Sequence, residues 1–366
     1  MVLNQETILT QLGNRIDEVT GAVSAPIHLS TAYHHRTLGE STGFDYTRTK
    51  NPTRQILEDG IALLEGGVAG FATSSGMAAI ELVLALFKVG DHVIGSDQLY
   101  GGTYRLLEHW QNQGKLKVSY VDFEHLSEVE AEITSETKAI FIETPTNPLL
   151  TEIDLEAVAE LTRKHNLLLI VDNTFYTPYL QQPLKLGADI VVHSATKYLA
   201  GHNDVLAGLV VAKSPKLAEQ LADLHNNIGA TLSPFDAWLV IRGMKTLALR
   251  LKQQEKNAKT LVQFLADHPC VAEVFYPGKG GMISFQLKNG KWVKQFLQEL
   301  KLISFAESLG GVESFITYPA TQTHADIPEQ KRIALGIDDR LLRFSVGIEA
   351  VEDLKTDITR SFSKLN

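Results

Sequence analysis

Short apolar runs alternate with stretches of helical spacing over the first two-thirds of the chain. Phe71-Ala72-Thr73 leads into an amphipathic pattern from Gly76 to Lys88, and His92-Val93-Ile94 and Lys117 to Val121 follow. Ala139 to Glu143 precedes a helical pattern from Leu155 to His165, and Leu167 to Val171 and Ile190 to Val192 complete the series. Such alternation predicts parallel strands joined by helical crossovers, with any ligand beyond the carboxyl ends of the strands. The texture changes after residue 232. One long helical pattern from Pro234 to Ala266 is placed to link two units; beyond it come strand-like Met282 to Leu287, a helix over Trp292 to Leu300, Ile303-Ser304-Phe305, Leu341 to Val346 and a terminal helix. The expected fold class is α/β: a large domain with a mainly parallel sheet at 51–232 and a smaller α+β domain at 233–366. Residues 1–50 have little periodicity and read as an arm that packs on something else, a second subunit being one such surface.

Length and charge narrow the field. A chain of 366 residues with 44% hydrophobic content is too long for one ordinary core. The net charge of −9 is spread without a basic cluster, so nucleic acid is not the expected partner. The first residues lack the basic flank and apolar stretch of a signal peptide, and Leu167 to Val171 is far too short to span a bilayer, so the expectation is a cytoplasmic protein with no membrane partner. Cys270 is the only cysteine, which excludes disulfides and cysteine-based zinc sites within one chain.

The segments just after the strand-like runs carry the candidate chemistry. Asp172 closes an apolar strand, where a carboxylate can keep a pyridine nitrogen protonated, although an aspartate at a strand end is more often a turn former. Lys197 follows the next such strand, with the hydroxyls of Ser194 and Thr196 beside it: an amine suited to a carbonyl and hydroxyls suited to a phosphate. Ser74-Ser75-Gly76-Met77-Ala78-Ala79 reads as a turn opening a helix, where free N–H groups favour an anion or an ordinary cap. Tyr100 beside Gly101-Gly102 offers a flat ring to a planar cofactor, or simple loop packing.

These segments resemble the transsulfuration family of pyridoxal 5'-phosphate (PLP) enzymes, which includes cystathionine γ-synthase, the cystathionine lyases and homoserine-ester sulfhydrylases. The resemblance rests on Asp45-Tyr46-Thr47-Arg48, Asn51-Pro52-Thr53-Arg54, Ser74 to Ala79, Asp97 to Thr103, Glu143-Thr144-Pro145-Thr146-Asn147-Pro148, Val171 to Thr174, His193 to Tyr198, Ala306 to Gly311 and Arg343 to Glu349. It runs from the arm nearly to the end of the chain, in the family's order.

The resemblance implies a fold-type I PLP enzyme, a homotetramer of two tight dimers with shared active sites. By position, Lys197 would carry PLP covalently and shuttle protons, Asp172 would bind the pyridine nitrogen, and Tyr100 would stack on the ring. Gly76, Met77, Ser194 and Thr196 would hold the phosphate, joined by Tyr46 and Arg48 from the neighbouring subunit. Arg343 would anchor the substrate α-carboxylate, assisted by Asn147 and the Ser308-Leu309 backbone. Glu307 and Asp45 match the pattern of γ-active members, in which acidic groups receive a distal ammonium. The implied substrates are small amino acids: an O-acyl-L-homoserine with L-cysteine giving L-cystathionine, or with sulfide giving homocysteine. Cystathionine γ- or β-lyase activity is the alternative, and a non-catalytic PLP-binding regulator a remote one. Two features depart from many relatives: Thr49 replaces a second basic residue beside Arg48, and Pro277-Gly278 runs almost directly into Lys279-Gly280-Gly281.

Other chemistries find less support. Ser194-Ala195-Thr196-Lys197 fits an S-x-x-K pattern, but the S-D-N, K-T-G and G-x-S-x-G companions are missing. His193, His202 and Asp204 match no standard metal spacing, so no metal is expected.

Overall fold

The computed structural model describes residues 3–365. The first part runs α1 (Gln5–Gln11), α2 (Pro52–Glu65), β1 (Ala69–Thr73), α3 (Gly76–Leu84), β2 (His92–Ser96), α4 (Gly101–Asn112), β3 (Lys117–Val121), α5 (Leu126–Ala131), β4 (Thr137–Glu143), α6 (Leu155–His165), β5 (Leu168–Asp172), α7 (Thr177–Leu180), β6 (Ile190–Ser194), β7 (Gly208–Ala212) and α8 (Pro215–Ile228). It continues with α9 (Pro234–Met244), α10 (Leu247–Ala266), β8 (Val271–Phe275), β9 (Met282–Leu287), α11 (Trp292–Glu299), β10 (Ser304–Phe305), β11 (Phe315–Thr317), α12 (Glu329–Ala334), β12 (Leu341–Ser345) and α13 (Val351–Phe362).

The first strands form a sheet in the order β1-β7-β6-β5-β4-β2-β3. Its central strands read as almost unbroken Val, Ile and Leu because both faces are covered. Alternate residues feed two cores. Phe141, Ile170, Ile190 and Val192 pack with α3, α4 and α8, whereas Ile140, Ile142, Val171 and Val191 pack with α2, α6 and α9. Each fully buried Leu or Ile contributes roughly 1.5–3 kcal/mol of transfer free energy. A second sheet, β10-β11-β12-β9-β8, packs with α10, α11 and α13 around Phe285, Phe296 and Phe344.

The expected mainly parallel sheet is present, with β7 alone reversed, antiparallel to both β1 and β6. No helix separates β6 from β7; the intervening loop carries Thr196 and Lys197 and closes on itself, with the Thr196 N–H donating to Ala207 O (3.2 Å) and the Ala207 N–H to Thr196 Oγ1 (3.0 Å). The pattern from Pro234 to Ala266 is two helices, not one. The Gly243 carbonyl leaves the helical ladder to accept from Thr246 Oγ1 (3.1 Å) and from buried Arg250 Nη2 (2.9 Å). That break lets α9 stay on α2 while α10 packs against α13 and the second sheet.

Within residues 3–50, Leu9 of α1 and Leu12 just after it dock into the first core, while Val19, Val23, Leu29 and Leu38 stand exposed. No helix among the described residues is long and apolar enough to cross a membrane.

Candidate active site

Three parallel strands end together at one edge of the large sheet. Glu143 and Asp172 are register partners at the ends of β4 and β5, so their side chains share a face, and Ser194 closes β6 beside them. They open into a cavity of about 240 Å³, also lined by Gly76, Met77, Tyr100, Lys197 and Arg343.

Asp172 is held by the Thr174 N–H, which donates to Oδ1 (3.0 Å). The Thr174 hydroxyl in turn accepts from the Ser194 N–H (2.8 Å), tying the ends of β5 and β6 together. Burial raises the Asp172 carboxyl above the usual aspartate range, and bonds from Thr174 only partly offset that. Among the described residues no lysine or arginine forms an ion pair with it. A buried carboxylate without a cation is costly, so the site favours a cationic ligand atom at this point.

Lys197 follows β6 and reaches the Ser308 hydroxyl, with Nζ donating to Oγ (3.2 Å). Burial, with Arg343 nearby, lowers its ammonium to about 8, which makes the neutral amine available near neutral pH. The α3 terminus supplies the anion cradle. Ser75 Oγ caps the Ala78 N–H (3.1 Å), and Gly76 and Met77, the first two residues of the helix, line the cavity. The approach is close: a Cβ on Gly76 would lie 2.8 Å from Ser194 Cβ, and one on Gly208 would collide with the Ser75 carbonyl.

Arg343 enters from β12. Its Nη1 donates to Asn147 Oδ1 (2.8 Å), and its Nη2 to Thr317 Oγ1 (3.3 Å) and the Ser308 carbonyl (3.4 Å). Its Nε is buried without a partner, and burial lowers the guanidinium to about 10, marking donor capacity held for an anion. Glu307, Ser308 and Leu309 line the same wall.

The cavity thus gathers the sequence-predicted Gly76, Met77, Tyr100, Asn147, Asp172, Ser194, Thr196, Lys197, Glu307, Ser308, Leu309 and Arg343. Asp45, Tyr46 and Arg48 are not among its lining residues. Within this chain Arg48 Nη1 donates to Asn226 O (2.5 Å) and Oδ1 (2.8 Å), and Asp45 pairs with His35 (2.8 Å) at the surface. His193 and His202 do not converge on a site: His193 is bonded to buried Glu65 (2.8 Å) and His202 to the Ala200 carbonyl (2.7 Å).

Sequence reasoning assigned no role to Glu143, Thr174, Phe175, Leu206 or Thr323, all of which line the cavity. Glu143 Oε2 accepts from the Tyr100 N–H (2.8 Å), and burial, with Asp172 alongside, pushes its carboxyl well above the usual range. Its position at a strand end was the available signal. Thr323 stands at no strand end; the fold brings its loop to this edge.

A buried, partly neutral amine, an unpaired carboxylate, an N-terminal helix cradle and a half-engaged guanidinium define an α/β enzyme cavity for an anionic carbonyl cofactor and an amino acid. Comparison with known proteins agrees. The model of the Cys/Met metabolism PLP-dependent enzyme family matches residues 6–363, and the chain belongs to that family. A cystathionine γ-synthase/O-acetylhomoserine (thiol)-lyase of Bacillus subtilis is 62% identical over 361 residues, covering 98% of this chain and 96% of the relative. A cystathionine γ-synthase of Haemophilus influenzae is 60% identical over 361 residues, covering 98% of each. A crystal structure of cystathionine γ-synthase from Xanthomonas oryzae pv. oryzae in complex with cystathionine is similar with TM-score 0.97 at 40% identity, covering 100% of both chains.

The residues present fit PLP. The cation-seeking carboxylate of Asp172 suits a pyridinium, the amine of Lys197 suits an aldehyde, and the glycine-dependent cradle suits a phosphate.

Proposed function

We propose that this chain catalyses γ-replacement on an O-acyl-L-homoserine: L-cysteine displaces the acyl group to give L-cystathionine and a carboxylic acid, and sulfide serves as a second acceptor to give homocysteine. The observation that carries this reading is the convergence of Lys197, Asp172 and Arg343, with acidic Glu307, on one cavity in a chain at least 60% identical to proteins named for this chemistry.

PLP, when bound, supplies a carbonyl for the substrate amine and an electron-withdrawing ring. Gly76, Met77, Ser194 and Thr196 would hold its phosphate, Asp172 would keep its ring nitrogen protonated, and Tyr100 would pack on its ring. Arg343 and Asn147 bind the substrate α-carboxylate, which fixes the Cα–H bond relative to Lys197. Lys197 Nζ is placed to take the Cα proton and then one from Cβ, which lets the ester oxygen leave Cγ with its bonding electrons as the carboxylate; once the thiol, having given up its proton, bonds through sulfur to Cγ, the same amine returns protons to Cβ and Cα. Glu307 and Asp45 receive the acceptor's ammonium. Tyr46 and Arg48 serve the site of a neighbouring copy in a homotetramer built from two dimers with shared sites. The arm, the large domain at 51–232 and the smaller domain at 233–366 are the corresponding units, and the cytoplasm is the expected compartment.

PLP-loaded protein incubated with O-acetylhomoserine plus cysteine, and separately with cystathionine alone, tests this by mass spectrometry. Cystathionine formation faster than its cleavage is the expected result. Rapid cleavage without synthesis would make the chain a lyase, with 2-oxobutanoate or pyruvate reporting which bond breaks.

A further inference from the structure

The loop between β11 and α12 is wound on itself before it meets the cavity. The Tyr318 N–H donates to Gln322 Oε1 (2.8 Å), the His324 N–H to the Pro319 carbonyl (3.0 Å), and the Ile327 N–H to the His324 carbonyl (3.2 Å). Thr323 lines the cavity, and its carbonyl sits where a Cβ on Gly101 would be, directly after Tyr100. At the surface Arg105 pairs with Asp326, and buried Ile327 anchors the far end.

His324 is 1% exposed, and both of its ring nitrogens are engaged. Nε2 lies 2.9 Å from the Asn147 carbonyl, and Nδ1 lies 2.9 Å from Thr323 Oγ1. A carbonyl only accepts, so Nε2 carries the hydrogen. Burial and nearby Arg343 push the imidazole down to about 4, so the ring is neutral; Nδ1 is then an acceptor, and the Thr323 hydroxyl donates to it. Asn147, whose carbonyl takes the histidine hydrogen, uses its side-chain oxygen to hold Arg343 (2.8 Å), and the next carbonyl, Pro148 O, accepts from Ser284 Oγ (2.5 Å). A continuous chain of bonds thus runs from Thr323 through His324 and Asn147 to Arg343.

We propose that His324 is a positioning residue for α-carboxylate recognition: locked as the Nε2–H tautomer, it sets the Asn147 backbone, and through it the Arg343 clamp, in register with the loop that carries Thr323. This deepens the amino-acid reading given above and rests on it. His324 is not among the residues that line the cavity, so its removal should weaken carboxylate binding and leave the amine-handling part of the site intact.

PLP-loaded wild type and the variants His324→Ala, His324→Asn and His324→Gln are titrated with L-norvaline and with n-butylamine, the same molecule without its carboxylate, following the absorbance of the bound cofactor. Wild type should prefer norvaline. His324→Ala and His324→Asn should lose ~10-fold in norvaline affinity, the equivalent of one directed hydrogen bond, with butylamine unchanged. His324→Gln can place an amide N–H near the Nε2 position and should recover most of the loss. With O-acetylhomoserine the Ala and Asn variants should show raised KM with kcat held within about threefold. Equal weakening of both ligands, or variants that titrate like wild type, would overturn the inference. Should the Ala variant fail to fold, the contrast between Gln and Asn, checked by thermal midpoint, still decides. A wild type that does not prefer the carboxylate would overturn the amino-acid reading itself, an outcome distinct from failure of the variants alone.

Discussion

Lys197 carries the plainest residue-level consequence of the cavity. An ordinary lysine is almost fully protonated at pH 8, whereas burial leaves this amine titrating at about 8. At that pH roughly half of it is neutral, on the order of a hundredfold more than at a surface lysine. Cofactor-free protein treated briefly with PLP and a mild borohydride at pH 8, then digested and read by mass spectrometry, should therefore carry the pyridoxyl mass on Lys197 before any other lysine. Even labelling across the lysines would contradict both the burial and the assignment. The same scale explains which site residues are legible from the chain alone. Asp172, Ser194 and Lys197 stand at or just beyond the ends of apolar strands, where an α/β sheet places its ligands. Glu143 stands at such an end too, yet its bond to the Tyr100 N–H joins two loops far apart in sequence, and no local pattern encodes that pairing.

At the scale of elements, α2 fastens the exposed segment before it through a buried pair. Arg54 Nη1 donates to the Thr47 carbonyl (2.8 Å) and Nη2 to the Arg48 carbonyl (3.1 Å), while its Nε meets Glu58 (3.2 Å). Glu58 also accepts the Ala72 N–H of β1 (3.0 Å). Burial, only partly offset by Arg54, raises Glu58 from 4.5 to about 7. Between those values the folded protein retains a proton that the unfolded chain has released, so ionisation favours unfolding. The contribution is intact below 4.5 and is lost as the pH rises through about 7, a span equivalent to about 3 kcal/mol. Glu58→Gln keeps an acceptor for Arg54 and Ala72 but removes the titration. Urea midpoints between pH 5 and 8 should fall with pH more steeply in wild type than in the variant, and parallel slopes would show that Glu58 does not titrate in this window. Elements differ in how openly the sequence shows them. Runs such as Lys117–Val121 and Leu155–His165 are visible because their periodicity is local. The antiparallel direction of β7 depends on the loop closure between Thr196 and Ala207, and the division of α9 from α10 on the claim that Thr246 and Arg250 make on one carbonyl; both are tertiary events beneath an unbroken local pattern.

At the scale of the whole molecule, the residues proposed to serve the site divide between two places in one chain. Lys197, Asp172 and Arg343 meet in the cavity, while Tyr46, at 48% exposure, and Arg48 lie outside its lining, in a segment that displays Val19, Val23, Leu29 and Leu38 to solvent. Exposed apolar groups of this kind are suited to burial against a second copy. If the proposed shared site is correct, Lys197→Ala and Arg48→Ala damage different halves of the same catalytic unit. Each variant alone should be nearly inactive. Co-expressed at equal levels, they should form hybrid dimers in which one site of the two combines an intact Lys197 with an intact Arg48 from the other chain. Random pairing makes half of the dimers hybrid, with one working site in each, so activity should recover to about a quarter of wild type. Recovery to that level, together with a sedimentation mass above that of the monomer, would support sites completed across an interface. Activity no greater than the sum of the two variants would mean that each chain completes its own site, and Tyr46 and Arg48 would then need a role within the chain that carries them.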